Sequence, residues 1–355
     1  MNILLLYGGQ SGEHEISCIS AGFIEKNLKA NNYQVLPVYI NKSGEWHLQP
    51  VTKEKPDQHV INLVSLEKRS GKTYLRGDAL APISVEFAFP MVHGTLGEDG
   101  ALQGLFEIFQ LPYAGCSLAS SAMAMDKSIS RQIFEMEGLD QVYSFSLHRT
   151  DFQEIDAIIE DLEDEFNYPV FVKPCNLGSS VGISKAKNPE DLKTAIELAL
   201  KYDEFVIVEE GRSVREIELA ILGNYPDYEI SAIGEIIPSH EFYSYEAKYL
   251  DQNGAKLVLP AELTATQVEN LRELANAAFM AIRGDGFARV DFFLDKESGE
   301  FLINEINTLP GFTPVSMFPM LWEKSGKAPV QTVREIVELG LARHLTRSKL
   351  QRSRE

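Results

Sequence analysis

Two stretches decide the fold of the C-terminal part of this chain: Phe287-Ala288-Arg289-Val290-Asp291-Phe292-Phe293-Leu294 and Phe301-Leu302-Ile303-Asn304-Glu305-Ile306-Asn307. Both are rich in aromatic and branched apolar residues, and Ser298-Gly299 between them is a turn dipeptide, so they predict two strands of one hairpin. Side chains alternate between the two faces of a strand, which places Arg289 and Asp291 on the same face. The apolar residues between them then form the predicted core face.

Polar side chains meet if these two strands pair. Glu305 and Asn307 share one face of the second strand, so two carboxylates, an amide oxygen and the Arg289 guanidinium converge. Hard oxygen ligands on rigid strands, with positions left for water and phosphate, suit Mg²⁺. A surface charge network on a half-exposed sheet has the same spacing. The apolar composition of the rest of both strands favours a metal site made of Asp291, Glu305 and Asn307.

The N-terminal part has the pattern of a parallel α/β sheet. Residues 3–7 predict a buried strand that ends at Gly8-Gly9, and residues 34–40 and 85–92 predict two more. A helix is predicted between the first two strands from apolar residues along one face, namely Ile16, Ile19, Phe23, Ile24 and Leu28. The third strand runs into a glycine-rich loop at 93–100, which predicts a ligand at the carboxyl ends of the strands. Turns at 41–44 and 68–71 indicate an inserted, hairpin-rich segment.

The rest of the chain predicts two further units. Met125-Asp126-Lys127 opens a helix, and strands at 170–174 and 205–209 flank a helix at 189–201, which indicates a small α+β domain. From Arg212 onward strands dominate until a helix at 266–282, and a last helix lies near 329–341. We therefore expect three domains, at 1–117, 118–211 and 212–355.

A phosphate-binding loop is the second chemical signal. Gly178-Ser179-Ser180-Val181-Gly182 offers small residues and backbone N–H groups that can surround phosphate oxygens, although a flexible linker has the same composition. Lys173, at the end of an apolar strand, needs an anionic partner if it is buried, and this favours phosphate. The chain lacks the P-loop motif, and Tyr7-Gly8-Gly9-Gln10-Ser11-Gly12 is not a dinucleotide fingerprint, so a dehydrogenase is a poor interpretation.

Composition limits the class of protein. The chain has 355 residues, 44% hydrophobic and 24% charged, as expected for a globular protein with two or three domains. No apolar run approaches the ~20 residues that span a bilayer, and residues 1–7 predict a strand rather than a signal peptide. The three cysteines, Cys18, Cys116 and Cys175, lack metal-site spacing and predict reduced thiols in a cytoplasmic protein.

The formal net charge of −19 argues against general nucleic-acid binding. It also means that a polyphosphate site must supply its own cations through local lysines, arginines or bound metal. The extreme C-terminus is the one basic segment, and we expect it to be a frayed, solvated tail. Its basic residues are Arg343, Arg347, Lys349, Arg352 and Arg354.

Seven motifs occur in order along the chain. They are 8–17 (GGQSGEHEIS), 93–100 (HGTLGEDG), 125–127 (MDK), 172–174 (VKP), 178–182 (GSSVG), 245–249 (YEAKY) and 304–312 (NEINTLPGF). In this order they make the chain resemble the ATP-grasp enzymes and, more narrowly, the D-alanine–D-alanine ligases, over essentially its whole length. The resemblance implies an α/β and α+β architecture, an ATP-grasp fold with an N-terminal open parallel-sheet domain.

The resemblance also implies a nucleotide site between the central and C-terminal domains. In such a site Lys127, Lys173, Ser180 and Lys248 contact phosphates, Glu209 the adenine edge and Glu216 the ribose. Asp291, Glu305 and Asn307 hold two Mg²⁺ (or Mn²⁺) ions, with Glu305 shared. Glu210 departs from the lysine expected beside the adenine-contacting glutamate, which puts one nucleotide contact in doubt.

The reaction implied is the ligation of two D-alanines through a D-alanyl phosphate, for peptidoglycan precursor synthesis, cell-wall biogenesis and cell shape. Arg289 and the backbone N–H of Gly311 stabilise the oxyanion. Glu13 binds the first ammonium, with Ser179 and Tyr249 hydrogen-bonded to it. His93 lies near the first carboxylate, and Ser316, followed by Met317, anchors the second. Three of these residues also have a purely structural alternative: a helix N-terminal carboxylate for Glu13, a core histidine for His93 and an N-cap for Ser316.

Rival functions remain open at this point. Relatives that make D-alanyl-D-lactate or D-alanyl-D-serine are the nearest, but Tyr249 and Met317 favour D-alanine as the second substrate. Another ATP-grasp carboxylate–amine ligase and a non-catalytic nucleotide-binding protein are the other classes. The resemblance further implies small-molecule partners (D-alanine and ATP), no nucleic acid, no membrane, a cytoplasmic location and a homodimer.

Overall fold

The computed structural model describes residues 1–51, 62–78, 80–163, 165–178, 181–239 and 254–351. Its strands are β1 (Asn2–Gly8), β2 (Gln34–Ile40), β3 (Trp46–Leu48), β4 (Val64–Arg69), β5 (Lys72–Gly77), β6 (Leu80–Val85), β7 (Phe87–Met91), β8 (Ser144–His148), β9 (Val170–Pro174), β10 (Ser184–Ala186), β11 (Phe205–Glu210), β12 (Val214–Asn224), β13 (Asp227–Pro238), β14 (Ala255–Val258), β15 (Asp285–Asp295) and β16 (Phe301–Asn307). Its helices are α1 (His14–Ala30), α2 (Ala101–Phe109), α3 (Leu118–Met125), α4 (Lys127–Met136), α5 (Ile155–Leu162), α6 (Pro189–Ala199), α7 (Ala265–Ala281), α8 (Met317–Lys324) and α9 (Pro329–Ser348), with a 3-10 helix at Arg149–Glu154.

The N-terminal sheet has the order β3-β2-β1-β7, and β1 runs parallel to both β2 and β7. This confirms the predicted parallel sheet. The carboxyl ends of β1 and β7 lie side by side, so the loop after Gly8 and the loop after Met91 meet at one edge, as the strand order requires. The hairpin-rich segment is also confirmed, as the antiparallel sheet β4-β5-β6.

Helix α1 confirms the predicted helix but not its predicted apolar face. Ile16, Ile24 and Leu28 are buried, whereas Ile19 is 55% exposed. The buried stripe is rotated because it includes Ser17 and Ser20, both fully buried. Ser17 Oγ accepts from Gly8 N and donates to the Met91 carbonyl at the sheet, whereas Ser20 Oγ accepts from Phe312 N in the loop after β16; an apolar count does not register these contacts.

The central sheet is antiparallel, with the order β10-β9-β11-β8, and confirms the predicted α+β unit. Helices α5 and α6 cover one face, and the core there contains Val170, Val172, Leu192 and Val206. In the register of β9 and β11, Lys173 lies opposite Ile207 and Phe171 opposite Glu209. Lys173 and Glu209 therefore lie on the same face, opposite to the core, as diagonal neighbours.

The C-terminal sheet has the order β14-β13-β12-β15-β16 and confirms the predicted hairpin. Asp291 pairs with Glu305 and Arg289 with Asn307, and the register then shifts so that Phe292 pairs with Ile303. The shift leaves Asn304 as an extra residue in β16, a bulge beside the polar face. Val290, Phe292 and Ile303 lie in the core cluster that also contains residues of α7.

The prediction of a frayed C-terminal tail is wrong for most of it. Helix α9 continues to Ser348 rather than ending near 341. Arg343 is 6% exposed and donates hydrogen bonds to the backbone carbonyls of Gly115 and Tyr113. Its guanidinium also lies over the Tyr113 ring, 4.3 Å from the centroid. Arg343 can be buried here because the main-chain carbonyls of Tyr113 and Gly115 accept its hydrogen bonds.

No helix in the described residues is long and apolar enough to span a membrane.

Candidate functional site

A row of charged side chains crosses the C-terminal sheet. Glu218 on β12 lies opposite Asp291 on β15, which lies opposite Glu305 on β16. Arg289 and Asn307 form the adjacent pair on the same face. Asp291 and Glu218 are only 8% and 5% exposed, so these carboxylates need cations or other ligands close by.

Arg289 supplies much of that compensation. Its Nε and Nη2 donate to the two oxygens of Asp291 at 2.7 and 2.6 Å, and Nε also lies 3.1 Å from Oε2 of Glu218. Burial alone would lower the pKa of Arg289, but Asp291 and Glu218 raise it well above its ordinary value. Arg289 is therefore a permanent cation fixed on the face where the carboxylates converge.

The donor set of Asp291, Glu305 and Asn307 fits a hard cation chemically. Nδ2 of Asn307 lies 3.0 Å from Oδ2 of Asp291 and 3.4 Å from Oε1 of Glu305, so one side chain bridges both carboxylates. The set has only two carboxylates, and no group of three or more His, Cys, Asp or Glu residues suited to a metal occurs in the described part of the chain. The third ligand is therefore the amide of Asn307. Two carboxylates plus an amide oxygen match the ligands that Mg²⁺ uses when phosphates and waters complete its shell.

Lys127 connects the central sheet region to this row. It is the first residue of α4, and Asp126 caps that helix by accepting from Ser128 N at 2.9 Å and Ile129 N at 3.1 Å. The Lys127 Nζ donates to the carbonyl of Leu177 at 2.8 Å and lies 3.7 Å from Oε2 of Glu305. The cap thus fixes the start of the helix, and the lysine reaches from there toward β16.

A second charge cluster surrounds Glu209 on the central sheet. Glu209 is 4% exposed and contacts Nη2 of Arg131 at 2.6 Å and Nζ of Lys173 at 2.5 Å. Burial alone would raise the pKa of Glu209, but Arg131 and Lys173 together lower it to about 2. Arg131 was not singled out from the sequence, although its position four residues after Lys127 placed both on one face of a helix.

Glu13 lies where three loops meet. It precedes α1 as its N-cap, and its Oε2 would lie 2.7 Å from a Cβ at Gly94 and 3.0 Å from one at Gly178. Gly94 also has a φ of +75°, which favours glycine. The two glycines therefore leave room for the Glu13 carboxylate between the loop after β7 and the loop after β9.

His93 is a buried histidine with partners on both ring nitrogens. Nδ1 lies 3.0 Å from the carbonyl of Leu309 and 3.4 Å from Oε1 of Glu98, and Nε2 lies 3.0 Å from Oγ of Ser20. Burial alone would lower the pKa of His93, but Glu98 and Glu13 raise it. The ring also joins the N-terminal sheet to the segment after β16, so the core-histidine alternative describes part of its surroundings.

Gly311 and Ser316 are adjacent in the loop between β16 and α8. A Cβ at Gly311 would lie 3.1 Å from Oγ of Ser316, and that hydroxyl accepts from Thr313 N at 3.0 Å. Ser316 is the N-cap residue of α8 but makes no side-chain cap hydrogen bond. Met317 is buried, with its Sδ packed beside Gly234 on β13.

The other expected site residues lie at the edge of this arrangement or outside it. Glu216 is half-buried on the same face of β12 as Glu218, opposite Phe293. Glu210 pairs with Arg212 at 3.0 Å. Ser179, Ser180, Lys248 and Tyr249, with the rest of the motif at 245–249, lie outside the described residues.

Known proteins of one family match both halves of this chain. Two family models match, described as D-ala D-ala ligase N-terminus over residues 2–116 and D-ala D-ala ligase C-terminus over residues 133–338. A D-alanine–D-alanine ligase of Thermoanaerobacter sp. (strain X514) is 43% identical over 351 residues, covering 96% of this chain and 97% of that protein. One from Acetivibrio thermocellus is 40% identical over 363 residues, covering 96% of each.

Solved structures of ligases with similar sequences also have a similar fold. The D-alanine–D-alanine ligase of Coxiella burnetii has a TM-score of 0.88 at 34% identity, covering 98% of this chain and 96% of that one. The VanG D-Ala:D-Ser ligase of Enterococcus faecalis has a TM-score of 0.84 at 33% identity, covering 96% and 99%. The fold is therefore the ATP-grasp fold inferred from the sequence motifs. Matches over both halves of the chain show that it belongs to the D-alanine–D-alanine ligase family.

Proposed function

We propose that this chain ligates two D-alanines to D-alanyl-D-alanine at the expense of ATP, through a D-alanyl phosphate, with release of ADP and phosphate. The observation that carries the proposal is the convergence of Lys127, Arg289, Asp291, Glu305 and Asn307 on one face of the C-terminal sheet. A face that combines fixed cations with oxygen ligands suits phosphoryl transfer, in which positioning and charge stabilisation do most of the work. Its product serves as a peptidoglycan precursor.

The nucleotide is proposed to lie between the central and C-terminal sheets. Lys127 and Lys173 meet its phosphates, Glu209 the adenine and Glu216 the ribose, while Ser180 and Lys248 belong to the same role. Asp291, Glu305 and Asn307 would hold two Mg²⁺ or Mn²⁺ ions, which when bound neutralise phosphate oxygens and favour attack at phosphorus. The pairing of Lys173 with Glu209 at 2.5 Å supports their place in one site.

The reaction takes two steps. A carboxylate oxygen of the first D-alanine attacks the γ-phosphorus, the bond from phosphorus to the ADP oxygen breaks, and D-alanyl phosphate forms. The amine of the second D-alanine then attacks the acyl carbon, loses a proton, and expels phosphate from the tetrahedral intermediate. Arg289 and the N–H of Gly311 stabilise the oxyanion, and fixed donors of this kind typically contribute about 3 kcal/mol each.

Substrate contacts follow from the loops at the sheet edges. Glu13, between Gly94 and Gly178, binds the ammonium of the first D-alanine, with Ser179 and Tyr249 as further partners. His93 lies near its carboxylate; burial lowers the pKa of this histidine, but Glu98 and Glu13 raise it overall. Ser316 binds the second carboxylate, beside Gly311, and Met317 closes that side.

The wider organisation is also proposed. The chain divides into domains at 1–117, 118–211 and 212–355, and the family-model match that ends at residue 116 supports the first boundary. It works in the cytoplasm as a homodimer, with D-alanine and ATP as its small-molecule partners.

The test is a product assay with ATP, Mg²⁺ and D-alanine, alone or with D-lactate or D-serine. We expect D-alanyl-D-alanine as the main product at neutral pH. Asp291→Asn is expected to lower kcat by about a hundredfold or more, because one metal carboxylate is lost, and circular dichroism should show that the variant still folds. Preferred formation of a mixed product would transfer the proposal to a D-alanyl-D-serine or D-alanyl-D-lactate ligase, and an unaffected rate would remove Asp291 from the site.

A further inference from the structure

Glu218 is a buried acidic residue that the proposed reaction does not use. It is 5% exposed on β12, directly opposite Asp291 on one side and Gly234 on the other. Met317 packs over Gly234, so an apolar wall closes one side of Glu218. A carboxylate in such a position requires a cation, because desolvation of an unpaired charge costs several kcal/mol.

Arg289 is that cation, and it is shared. Its Nε lies 3.1 Å from Glu218 Oε2, while Nε and Nη2 donate to Asp291 at 2.7 and 2.6 Å. The guanidinium is thus held from two neighbouring strands at once. Of the two carboxylates that hold Arg289, Asp291 is also a proposed metal ligand and Glu218 is not, so they have different tasks.

Metal binding at Asp291 conflicts with the contact to Arg289. Oxygens that accept two charge-assisted hydrogen bonds from a guanidinium are poorer donors to a cation, and a second positive charge at this place is repelled. The two cations therefore compete for the Asp291 oxygens, and a metal ion there would weaken the contact to Arg289. Arg289 then needs another anion, since a partly buried guanidinium beside a bound cation is destabilised without one.

We propose that Glu218 is a positioning residue that retains the Arg289 guanidinium when Asp291 turns to a metal ion. This inference rests on the proposed function, because it takes Asp291 as a metal ligand. Glu218 makes Asp291 available to the metal and keeps Arg289 directed at the carbonyl that develops negative charge.

The chain offers a matched control in Glu235. This glutamate is 7% exposed on the neighbouring strand β13 and binds Arg215 through two hydrogen bonds, at 2.8 and 2.6 Å. It lies opposite Ile217, the neighbour of Glu218, and therefore on the other face of the sheet. Glu218→Gln and Glu235→Gln remove the same charge from comparable surroundings.

The first measurement is Mn²⁺ binding, by EPR titration in the presence of ADP. We expect Glu218→Gln to weaken Mn²⁺ affinity by about tenfold, as for other residues that orient metal ligands indirectly. Glu235→Gln should bind Mn²⁺ like the wild type. In an Arg289→Met background Glu218→Gln should add less than about twofold, because the partner through which it acts is gone.

The second measurement is the ratio of phosphate released to dipeptide formed. Glu218→Gln should raise this ratio, because a displaced Arg289 slows capture of the acyl phosphate by the amine and leaves it to water. A merely structural change lowers both products together. If Glu218→Gln does not fold, Glu218→Asp, which keeps the charge on a shorter side chain, should show smaller changes in the same two quantities.

Two results would overturn the inference. One is a Glu218 variant that matches Glu235→Gln in both Mn²⁺ affinity and product ratio. The other is a full tenfold effect that persists without Arg289, which would mean that Glu218 acts on the metal directly. Absence of dipeptide from the wild type would instead refute the proposed function, and the Mn²⁺ titration would still decide the role of Glu218.

Discussion

Replacing Arg131 with methionine tests the buried cluster around Glu209. Glu209 is 4% exposed and is held by Arg131 at 2.6 Å and Lys173 at 2.5 Å. Its pKa is about 2 against an ordinary value of 4.5, a difference equivalent to about 3 kcal/mol. Removing one partner of a buried ion pair typically costs 3–5 kcal/mol, and Lys173 remains, so we expect a loss of about 3 kcal/mol at pH 7.

The pH dependence of that loss identifies its cause. A lowered pKa in the folded state stabilises the protein fully above the unfolded pKa, and the contribution disappears as pH falls from 4.5 through about 2. In Arg131→Met the pKa of Glu209 moves back toward 4.5, so the variant has less of this contribution to lose. The difference in unfolding free energy between wild type and variant should therefore shrink to about half at pH 3.

The assay is urea unfolding at pH 7 and at pH 3, with Arg149→Met as the control. Arg149 is exposed in the same region and donates to the carbonyl of Leu200 at 2.5 Å, so its removal involves no buried carboxylate. We expect the control to change stability by less than about 1 kcal/mol at either pH. An Arg131→Met loss that is equal at pH 7 and pH 3 would refute the electrostatic reasoning and point to packing instead.

Two further substitutions probe side-chain contacts of the N-terminal sheet region, one in the loop after β7 and one on α1. Gly94→Ala places a Cβ 2.7 Å from Glu13 Oε2 at a φ of +75°, so we expect a loss of about 1–3 kcal/mol in unfolding experiments and a KM for D-alanine raised about tenfold. Gly138→Ala, at a φ of +71° with no atom near its Cβ, is the control that should lose stability without a change in KM. Ser20→Ala removes the acceptor for Phe312 N at 3.3 Å and the partner of His93 at 3.0 Å, which should cost about 1–3 kcal/mol of stability and lower kcat more than it changes KM. An unchanged kcat in this variant would show that the Ser20 contacts to His93 and to the loop after Gly311 do not contribute to catalysis.

The paired strands of the C-terminal sheet were predictable because their pattern is local. Alternation along β15 placed Arg289 and Asp291 on one face, and the structure joins them by two hydrogen bonds. The register of the two strands was harder to predict, because the bulge at Asn304 decides that Glu305 rather than its neighbour lies opposite Asp291. Strand pattern thus predicts which residues share a face better than it predicts which of them touch.

Contacts between distant segments could not be derived from local patterns. Arg131 and Glu209 are 78 residues apart, and nothing in either segment indicates that the arginine on α4 reaches the glutamate on β11. The burial of Ser20, next to the exposed Ile19, has a similar origin, because its hydroxyl contacts Phe312 N and His93 Nε2 from distant segments of the chain. Arg343 resembled part of a solvated tail because its partners are carbonyls of residues 113 and 115, and carbonyls leave no signature in a sequence.

The pairing of charges in the site explains how an acidic chain can accommodate a polyphosphate. Within the described residues, the proposed phosphate-binding and oxyanion-binding cations are held by carboxylates: Lys173 by Glu209, Lys127 by Glu305 and Arg289 by Asp291. Under the proposed function the ligands exchange these partners, since phosphates take the lysines while metal ions and adenosine take the carboxylates. Charges that exchange one partner for another avoid the desolvation cost that an unpaired group would bear in either state. The net charge of −19 therefore places no obstacle to ATP, because Lys127, Lys173 and Arg289 are already in place and paired with carboxylates before it arrives.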